Sequence, residues 1–380
     1  MKYKAYSVHN FRKIPQIENL PEEEKESIEI SGNVFPFKVN NYVIDELIDW
    51  ENFKTDPIFR LTFPQKEMLE EEDYEKMKAA LNSNLDRMEL KEVADSIRMK
   101  LNPHPAGQME MNVPEVDGEK LPGIQHKYDQ TVLFFPSSGQ TCHSYCTFCF
   151  RWAQFVGLDG LKFAMRETEG LVRYLEEHHE VTDLLFTGGD PMIMSFKVFK
   201  QYIDPFLDPN NKTNIQTIRI GTKSLGFWPY KFLTDRDAQD FLDLFKEIVD
   251  SGINLTIMAH FNHINELKTP AVKEAVNKLI EIGVQIRTQS PLIKGINDDA
   301  DMWAKMWREQ VNMGMIPYYM FVERDTGARH YFEVPLEKTW EIFQQAYQQV
   351  SGICRTVRGP SMSCTPGKVQ ILGVENIQMN

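Results

Sequence analysis

The chain has 380 residues and a net charge of −13, with 42% hydrophobic and 26% charged residues. This balance is typical of a globular protein that buries one barrel-sized core plus an extension. The negative charge argues against a nucleic-acid partner, because phosphate neutralisation needs clustered Lys and Arg. The longest apolar runs are too short to span a bilayer, and the first residues lack the apolar core of a signal peptide. We therefore expect a cytoplasmic protein with no membrane partner.

Residues 1–121 are predicted to form a mostly helical N-terminal extension that ends in a connecting arm. The stretches PEEEKES at 21–27 and LEEEDYEKMKAALNSNLD at 69–86 are rich in charge and typical of solvated helical surface. Residues 101–123 carry few helix or strand signals, which favours an irregular arm leading into the next domain.

Three of the five cysteines crowd into the stretch TCHSYCTFCFRW, as Cys142, Cys146 and Cys149. In a reducing compartment, clustered cysteines bind metal or do redox chemistry more often than they form disulfides. Structural zinc takes four ligands, and stays open as an interpretation if Cys354 or Cys364 folds back. The x3 then x2 spacing favours a [4Fe–4S] cluster that leaves one iron open to S-adenosylmethionine.

After residue 130, strand-like segments alternate with segments of helical period. The six predicted strands are 131–136, 181–189, 214–222, 253–260, 284–289 and 316–323, and the first predicted helix covers 161–179. This alternation predicts an α/β fold with a parallel sheet. Six units predict a partial (β/α)6 TIM-type barrel over residues 122–335, followed by a C-terminal segment at 336–380.

Polar and glycine residues end the predicted strands, where barrels of this kind place their active sites. Alone, each of them is typical of a turn or a helix cap. Because they share one rim, we interpret them together as a candidate site. Beside the cysteine loop they are Gly188, Gly189, Asp190, Gly221, Thr222, Lys223, His260, Asn262, His263, Gln289, Glu323, Arg324 and Asp325.

On these stretches the chain resembles the radical S-adenosylmethionine superfamily and, within it, the lysine 2,3-aminomutase family. The similarity runs in family order from about residue 122 to 372. The matching segments are PGIQHKY, the cysteine loop through CFRW, LLFTGGDPMIM, IRIGTKS, AHFNHINE, QIRTQSPLIKGINDD, IPYYMFVERDTGARHYF and TPGKVQIL.

The resemblance implies an isomerase, an amino acid 2,3-aminomutase, that uses a [4Fe–4S] cluster, S-adenosylmethionine and pyridoxal 5′-phosphate. The implied chemistry is reductive cleavage to a 5′-deoxyadenosyl radical, hydrogen abstraction at the substrate β-carbon, and migration of the amino group from C2 to C3. The implied partners are a small amino acid and a reductant such as flavodoxin or ferredoxin. An N-terminal segment of this kind covers the site or mediates contacts in a homo-oligomer.

The resemblance also implies residue roles around the cluster and S-adenosylmethionine. Cys142, Cys146 and Cys149 would ligate the cluster, and Phe148 would lie near the adenine. The remaining candidates for cofactor binding at the rim are Gly188, Gly189, Asp190, His260 and Gln289.

A second set of residue roles concerns pyridoxal phosphate and the substrate. Lys368 matches the family lysine that forms the Schiff base, and Tyr128 the tyrosine that packs on the pyridoxal ring. Lys127 stands where the family has an arginine near the phosphate, which a lysine can serve as a point charge. Arg151 matches the arginine that holds the α-carboxylate.

Two departures from the family concern the side chain of the substrate. The lysine enzyme reads the ε-ammonium with two aspartates, and these positions are Arg324, with Asp325 beside it, and Ser361 here. An arginine repels an ammonium and favours a carboxylate. We therefore expect an acidic amino acid such as glutamate or aspartate, held by Arg324, rather than free lysine.

The sequence leaves two other functions open. One is an enzyme of the same family that lacks pyridoxal phosphate and acts on another substrate. The other is a non-catalytic iron–sulfur or zinc module.

Overall fold

The N-terminal extension combines helices with two small antiparallel ladders. The structure is a computed structural model that describes residues 1–103, 107, 109–158, 160–166, 168–323, 326–364 and 367–375. Strand β1 pairs with β2, and β3 pairs with β4 within the predicted arm. The elements are β1 (Ala5–Ser7), α1 (Pro15–Glu18), α2 (Glu22–Val34), β2 (Lys38–Asn40), α3 (Pro57–Thr62), α4 (Glu71–Leu81), α5 (Arg87–Lys100), β3 (Glu115–Val116) and β4 (Glu119–Lys120).

The rest of the chain is built on one sheet, which contains nine strands within the described residues. The order β13-β12-β11-β10-β9-β8-β7-β6-β5 follows the chain, with β6 to β12 parallel and the two outer strands antiparallel. The strands are β5 (Ile124–Tyr128), β6 (Thr131–Phe134), β7 (Asp183–Phe186), β8 (Thr217–Thr222), β9 (Asn254–His260), β10 (Gln285–Leu292), β11 (Ile316–Val322), β12 (Arg358–Cys364) and β13 (Gly367–Gln370).

Helices follow each of the strands from β6 to β11. They are α6 (Glu169–Glu177), α7 (Phe196–Leu207), α8 (Ser224–Phe227), α9 (Ala238–Asp250), α10 (Pro270–Glu281), α11 (Ala300–Asn312), α12 (Arg329–Phe332) and α13 (Leu336–Gln348). Strand residues alternate between a fully buried face, such as Ile218 and Ile220, and a half-buried face, such as Arg219. The buried face packs in one hydrophobic core, so the half-buried face lines the lumen of the sheet.

The outer strand β5 approaches β12, the strand next to the other outer strand. Lys127 in β5 donates a hydrogen bond to the hydroxyl of Ser363 in β12 at 3.1 Å and another to the carbonyl of Cys364. These side-chain contacts nearly close the sheet into a barrel, although β5 and β13 are not joined by a backbone ladder.

The six predicted βα units are confirmed, with two differences. A seventh parallel strand, β12, and the antiparallel strands β5 and β13 extend the sheet beyond the prediction. The first predicted helix, at 161–179, is wrong over its first half, because α6 begins only at Glu169. Met165 instead exchanges backbone hydrogen bonds with Phe135 and Ser137, both at 2.9 Å, which holds this segment extended beside β6.

Across the described ranges, no helix has the length and apolar character needed to cross a membrane.

Strand β2 fixes the backbone of the cysteine loop. The Tyr145 N–H donates to the Lys38 carbonyl at 2.8 Å, and the Asn40 N–H donates to the Ser144 hydroxyl at 3.0 Å. The fully buried Asn40 side chain donates to the carbonyls of His143, at 3.3 Å, and Phe227, at 2.8 Å. The N-terminal extension is therefore part of the framework of the barrel rim.

Replacing Asn40 should destabilise the fold. We expect Asn40→Ala to lower the free energy of unfolding by about 2–4 kcal/mol, because two buried carbonyls lose their donor. Urea unfolding of the metal-free protein measures this. The matched control is Asn41→Ala, whose side chain bonds only to the exposed Lys2 and Lys4 backbone. Equal losses in both variants would contradict the prediction.

Candidate active site

The cysteine loop follows β6 and lies at the carboxyl-terminal edge of the sheet. The Cys149 N–H donates to the Cys146 carbonyl and the Trp152 N–H to the Cys149 carbonyl, both at 3.1 Å. The Thr147 N–H also donates to the Leu61 carbonyl at 2.9 Å, which ties the loop to α3. The loop is therefore ordered by backbone hydrogen bonds on both sides of the three thiols.

The three thiols lie within electrostatic range of one another. Burial raises the pKa of Cys146 to about 12, with Lys223 opposing the shift. Burial also raises the pKa of Cys142, and the Asp190 carboxylate and the other two thiols raise it further. Because iron binds thiolates, an incoming metal must displace the thiol protons.

The donor chemistry of the loop fits an iron–sulfur cluster. Cys142, Cys146 and Cys149 are free thiols that each keep some solvent-accessible surface. Three cysteines on one loop can hold three irons of a cubane cluster and leave the fourth open. In the described part of the chain, no group of three or more His, Cys, Asp or Glu side chains is placed to hold a single metal ion.

The predicted Gly188-Gly189-Asp190 turn packs directly on the segment before Cys142. A Cβ at Gly188, which has φ of 137°, would lie 2.2 Å from the Gln140 amide nitrogen. A Cβ at Gly189 would lie 2.5 Å from both the backbone nitrogen and the carbonyl oxygen of Thr141. Glycine is therefore required at this turn by contact with the protein itself.

The Asp190 carboxylate is buried and accepts hydrogen bonds on both oxygens. Oδ1 accepts from the Met192 N–H at 2.9 Å and the Thr222 hydroxyl at 2.6 Å. Oδ2 accepts from the Lys223 N–H and the Ser224 hydroxyl, both at 3.0 Å. Burial raises the pKa of Asp190, and these hydrogen bonds oppose the shift. Asp190 thus joins the loops after β7 and β8.

The rim beside the cysteine loop carries a buried ion pair. The Lys223 ammonium donates to Glu266 at 2.6 Å and to the Asn262 side-chain oxygen at 2.8 Å. The predicted His260 is next to Lys223, and burial, helped by the Lys223 charge, lowers its pKa to about 3. His260 pairs with the predicted Gln289 across β9 and β10. The neutral imidazole and the amide therefore lie side by side at this rim.

Arg151 is a buried cation without a carboxylate partner among the described residues. Its guanidinium lies 4.2 Å from the centre of the Phe135 ring and donates to the Gln154 side chain at 2.8 Å. Nε is buried and finds no hydrogen-bond partner in the described chain. Burial lowers the pKa of Arg151 to about 10. The Arg151 guanidinium can therefore donate hydrogen bonds to an oxyanion.

Phe148, which was predicted to lie near the adenine, is half-buried in the cysteine loop. Its ring contacts the Phe332 ring edge to face, with 6.5 Å between centroids.

The predicted Lys368, Tyr128 and Lys127 are brought together where the two outer strands meet. Lys368 in β13 pairs with Ser363, the residue whose hydroxyl binds Lys127. The Tyr128 side chain lies close enough to Ser363 for that residue to lower its pKa, against the larger effect of burial, which raises it. The Lys368 ammonium lies 3.8 Å from the centre of the Tyr319 ring. Burial lowers the pKa of Lys368, and the nearby guanidiniums of the lumen lower it further.

The predicted Arg324, with its neighbour Asp325, lies outside the described residues. Its role in holding the side chain of the substrate therefore stays a prediction.

Several residues of the site were missed by sequence reasoning. Asn40 reaches the cysteine loop from about a hundred positions away, and no local pattern marks it. Arg287 and Arg358 lie in strands that look ordinary, yet both guanidiniums face the Tyr318 ring. Only the alternation of Arg287 with the buried Ile286 and Thr288 indicated that it faces the lumen.

Comparison with known proteins gives the family. No family model matches the chain. A protein of Aquifex aeolicus that is provisionally named L-lysine 2,3-aminomutase is 30% identical over 94% of this chain and 83% of its own length. The chain belongs to the lysine 2,3-aminomutase family. The L-lysine 2,3-aminomutase of Bacillus subtilis is 24% identical over 92% of this chain and 63% of its own length.

Membership of this family makes the chain an enzyme, a radical S-adenosylmethionine isomerase of the aminomutase type. The cofactors of the lysine 2,3-aminomutase family are a [4Fe–4S] cluster, S-adenosylmethionine and pyridoxal phosphate. Among solved structures, Streptococcus suis SuiB bound to S-adenosylmethionine aligns with a TM-score of 0.38 and 14% identity, over 72% of this chain and 56% of that chain. A TM-score this low supports no conclusion about function.

Adding a side chain at Gly189 should disturb the cysteine loop. We expect Gly189→Ala to displace Thr141, to destabilise the protein by about 1–3 kcal/mol, and to lower the iron and sulfide bound after anaerobic reconstitution. The matched control is Gly221→Ala, where the nearest atom is a carbonyl oxygen 3.5 Å from the new Cβ. Equal iron content in both variants would show that the turn does not support the loop.

Proposed function

We propose that this aminomutase depends on pyridoxal phosphate and converts an acidic α-amino acid, rather than free lysine, into a β-amino acid. In this proposal Cys142, Cys146 and Cys149 hold the [4Fe–4S] cluster that binds S-adenosylmethionine. An external electron donor of the flavodoxin or ferredoxin kind reduces the cluster.

The observation that carries the proposal is the environment of Lys368. Its ammonium lies in the lumen against Tyr319, close to Tyr128 and Lys127. A lysine must lose its proton before it can attack an aldehyde, and burial favours the neutral amine. A lowered pKa beside two aromatic rings therefore suits a lysine that binds pyridoxal phosphate.

Two further residues bear on how the substrate is held, and the second of them bears on its identity. Arg151 offers a buried guanidinium, with an unpaired Nε in the described chain, to the α-carboxylate. Ser361 replaces the second acid of the lysine enzyme, and its buried hydroxyl has no hydrogen-bond partner among the described residues. A neutral Ser361 gives no charge to bind an ammonium, which disfavours free lysine.

When bound, the cofactors supply a carbon-centred radical and a temporary attachment for the migrating amino group. The protein residues position the substrate beneath the cysteine loop and exclude water from the radical. Arg151 orients the α-carboxylate by a charge-assisted hydrogen bond. Lys368 would hold pyridoxal phosphate covalently and would release it to the substrate amine.

The proposal predicts one specifically labelled lysine. Anaerobic protein loaded with iron, sulfide and pyridoxal phosphate is reduced with borohydride, digested and analysed by mass spectrometry, with iron counted in parallel. We expect a phosphopyridoxyl group on Lys368 at neutral pH, because its lowered pKa leaves more of the reactive amine. The exposed Lys246, paired with Asp250, should stay unlabelled.

Variants separate the cleavage of S-adenosylmethionine from the formation of the β-amino acid. Lys368→Ala should still cleave S-adenosylmethionine slowly but form no β-amino acid, whereas Lys246→Ala should behave as wild type. Cys146→Ala should lose both activities. Full turnover by Lys368→Ala would sink the dependence on pyridoxal phosphate, and iron without any labelled lysine would favour a pyridoxal-free radical enzyme.

A further inference from the structure

Three guanidiniums gather on the lumen wall around Tyr318. The Arg287 guanidinium from β10 lies 5.4 Å from the centre of the Tyr318 ring, and that of Arg358 from β12 lies 5.6 Å from it. Arg219 from β8 is close enough for its charge to act on Tyr318. These residues come from strands far apart in sequence, so the barrel assembles the group.

A bulge in β11 makes this convergence possible. Thr288 pairs with Pro317 and Gln289 pairs with Tyr319, so Tyr318 is an extra residue between the two pairs. A bulge lets neighbouring side chains leave the strict alternation of a strand. Tyr318 and Tyr319 can therefore both face the lumen, with 4.4 Å between their ring centroids.

The cluster of three guanidiniums carries an excess of positive charge. Arg219 is neutralised by Asp183, with which it forms an ion pair at 2.6 Å. Arg287 and Arg358 have no ion pair or hydrogen-bonded acceptor within the described ranges, and both guanidiniums lie over the ring of Tyr318. Two unneutralised guanidiniums on one lumen wall make a site for an oxyanion, since each presents a fork of donors.

This cluster of guanidiniums lies close to Lys368, the candidate attachment point of pyridoxal phosphate. The charges of Arg219 and Arg358 both act on the Lys368 ammonium. Lys127, the predicted phosphate partner, instead uses its ammonium to join β5 to β12 at Ser363 and Cys364. Of the arginines that act on Lys368, Arg358 is the one without an acceptor among the described residues, and Arg287 lies over the same Tyr318 ring as Arg358.

We propose that Arg287 and Arg358 form an oxyanion site that binds the phosphate group of pyridoxal 5′-phosphate. This assignment rests on the proposed function, because it requires the cofactor to be attached at Lys368.

The depth of Arg287 in the lumen favours the cofactor phosphate, rather than a carboxylate of the substrate, as the oxyanion bound there. Arg287 lies two residues before Gln289, which is about 7 Å deeper than the rim at the rise of a β-strand. The substrate β-carbon must reach the adenosyl radical at the rim beside the cysteine loop. The side-chain carboxylate of a small amino acid stays near that carbon, whereas the phosphate projects from the far side of the pyridine ring.

Comparing two forms of the cofactor tests the assignment. Dissociation constants for pyridoxal 5′-phosphate and for pyridoxal, which lacks the phosphate, are measured by absorbance titration of the reconstituted protein. We expect Arg358→Gln and Arg287→Gln each to weaken binding of pyridoxal 5′-phosphate by about tenfold to a hundredfold. Binding of pyridoxal should stay unchanged, which also shows that the variants are folded.

Arg355→Gln is the matched control, because the Arg355 guanidinium also lies over a tyrosine ring, at 5.3 Å from Tyr347, but it donates to the Tyr347 carbonyl at 3.0 Å and lies outside the sheet. It should leave the affinities for both ligands at their wild-type values.

Three results would overturn the assignment. The first is unchanged affinity for pyridoxal 5′-phosphate in both lumen variants, and the second is an equal loss for both ligands. The third is unchanged cofactor affinity together with a raised KM for a dicarboxylic amino acid. That result would show that the two arginines bind the substrate and not the cofactor phosphate. If wild type itself labels no lysine with either ligand, the proposed function fails as well, and the wild-type measurement identifies that case.

Discussion

The buried carboxylate of Asp190 is the interaction on which the arrangement of the rim depends. Its oxygens accept hydrogen bonds from the Thr222 and Ser224 side chains after β8, and its own N–H donates to the Thr141 carbonyl at 2.7 Å. One residue thus joins the loops that follow three successive strands. The neighbouring Gly189 lets the two backbones touch, since any side chain there would overlap Thr141. The position of the cysteines is therefore set by packing between loops.

The barrel separates two kinds of chemistry along its axis. The rim carries the thiols and the buried Arg151, which suit a metal cluster and a substrate carboxylate. The lumen carries Lys368, whose pKa is lowered by burial, and Arg287 and Arg358, which have no ion pair in the part of the chain that the structure describes. A substrate held between them would have its amine directed to the lumen and its β-carbon to the rim. In the proposed function, this division would place hydrogen abstraction and amino-group transfer within one small substrate and would keep water from the radical.

The sequence predicted the βα alternation and the cysteine loop, because both are local patterns: period-2 and period-3.6 hydrophobicity and the spacing of three thiols. It did not predict contacts that depend on the closed barrel. Asn40 meets the cysteine loop only after the N-terminal extension docks, and Arg287 and Arg358 converge only because of the bulge at Tyr318. The helical pattern after residue 160 was misleading, since backbone pairing of Met165 with the segment that follows β6 outweighed helix propensity.

Isotope transfer from the substrate tests the central claim most directly. Anaerobic enzyme with all cofactors, a reductant and glutamate deuterated at C3 is analysed for its 5′-deoxyadenosine and amino acid products. Glutamate is preferred to aspartate, because moving the aspartate amino group from C2 to C3 regenerates aspartate. The account predicts deuterium in 5′-deoxyadenosine together with 3-aminopentanedioate. Unlabelled 5′-deoxyadenosine with no rearranged glutamate, alongside β-lysine formation from lysine, would contradict an acidic substrate.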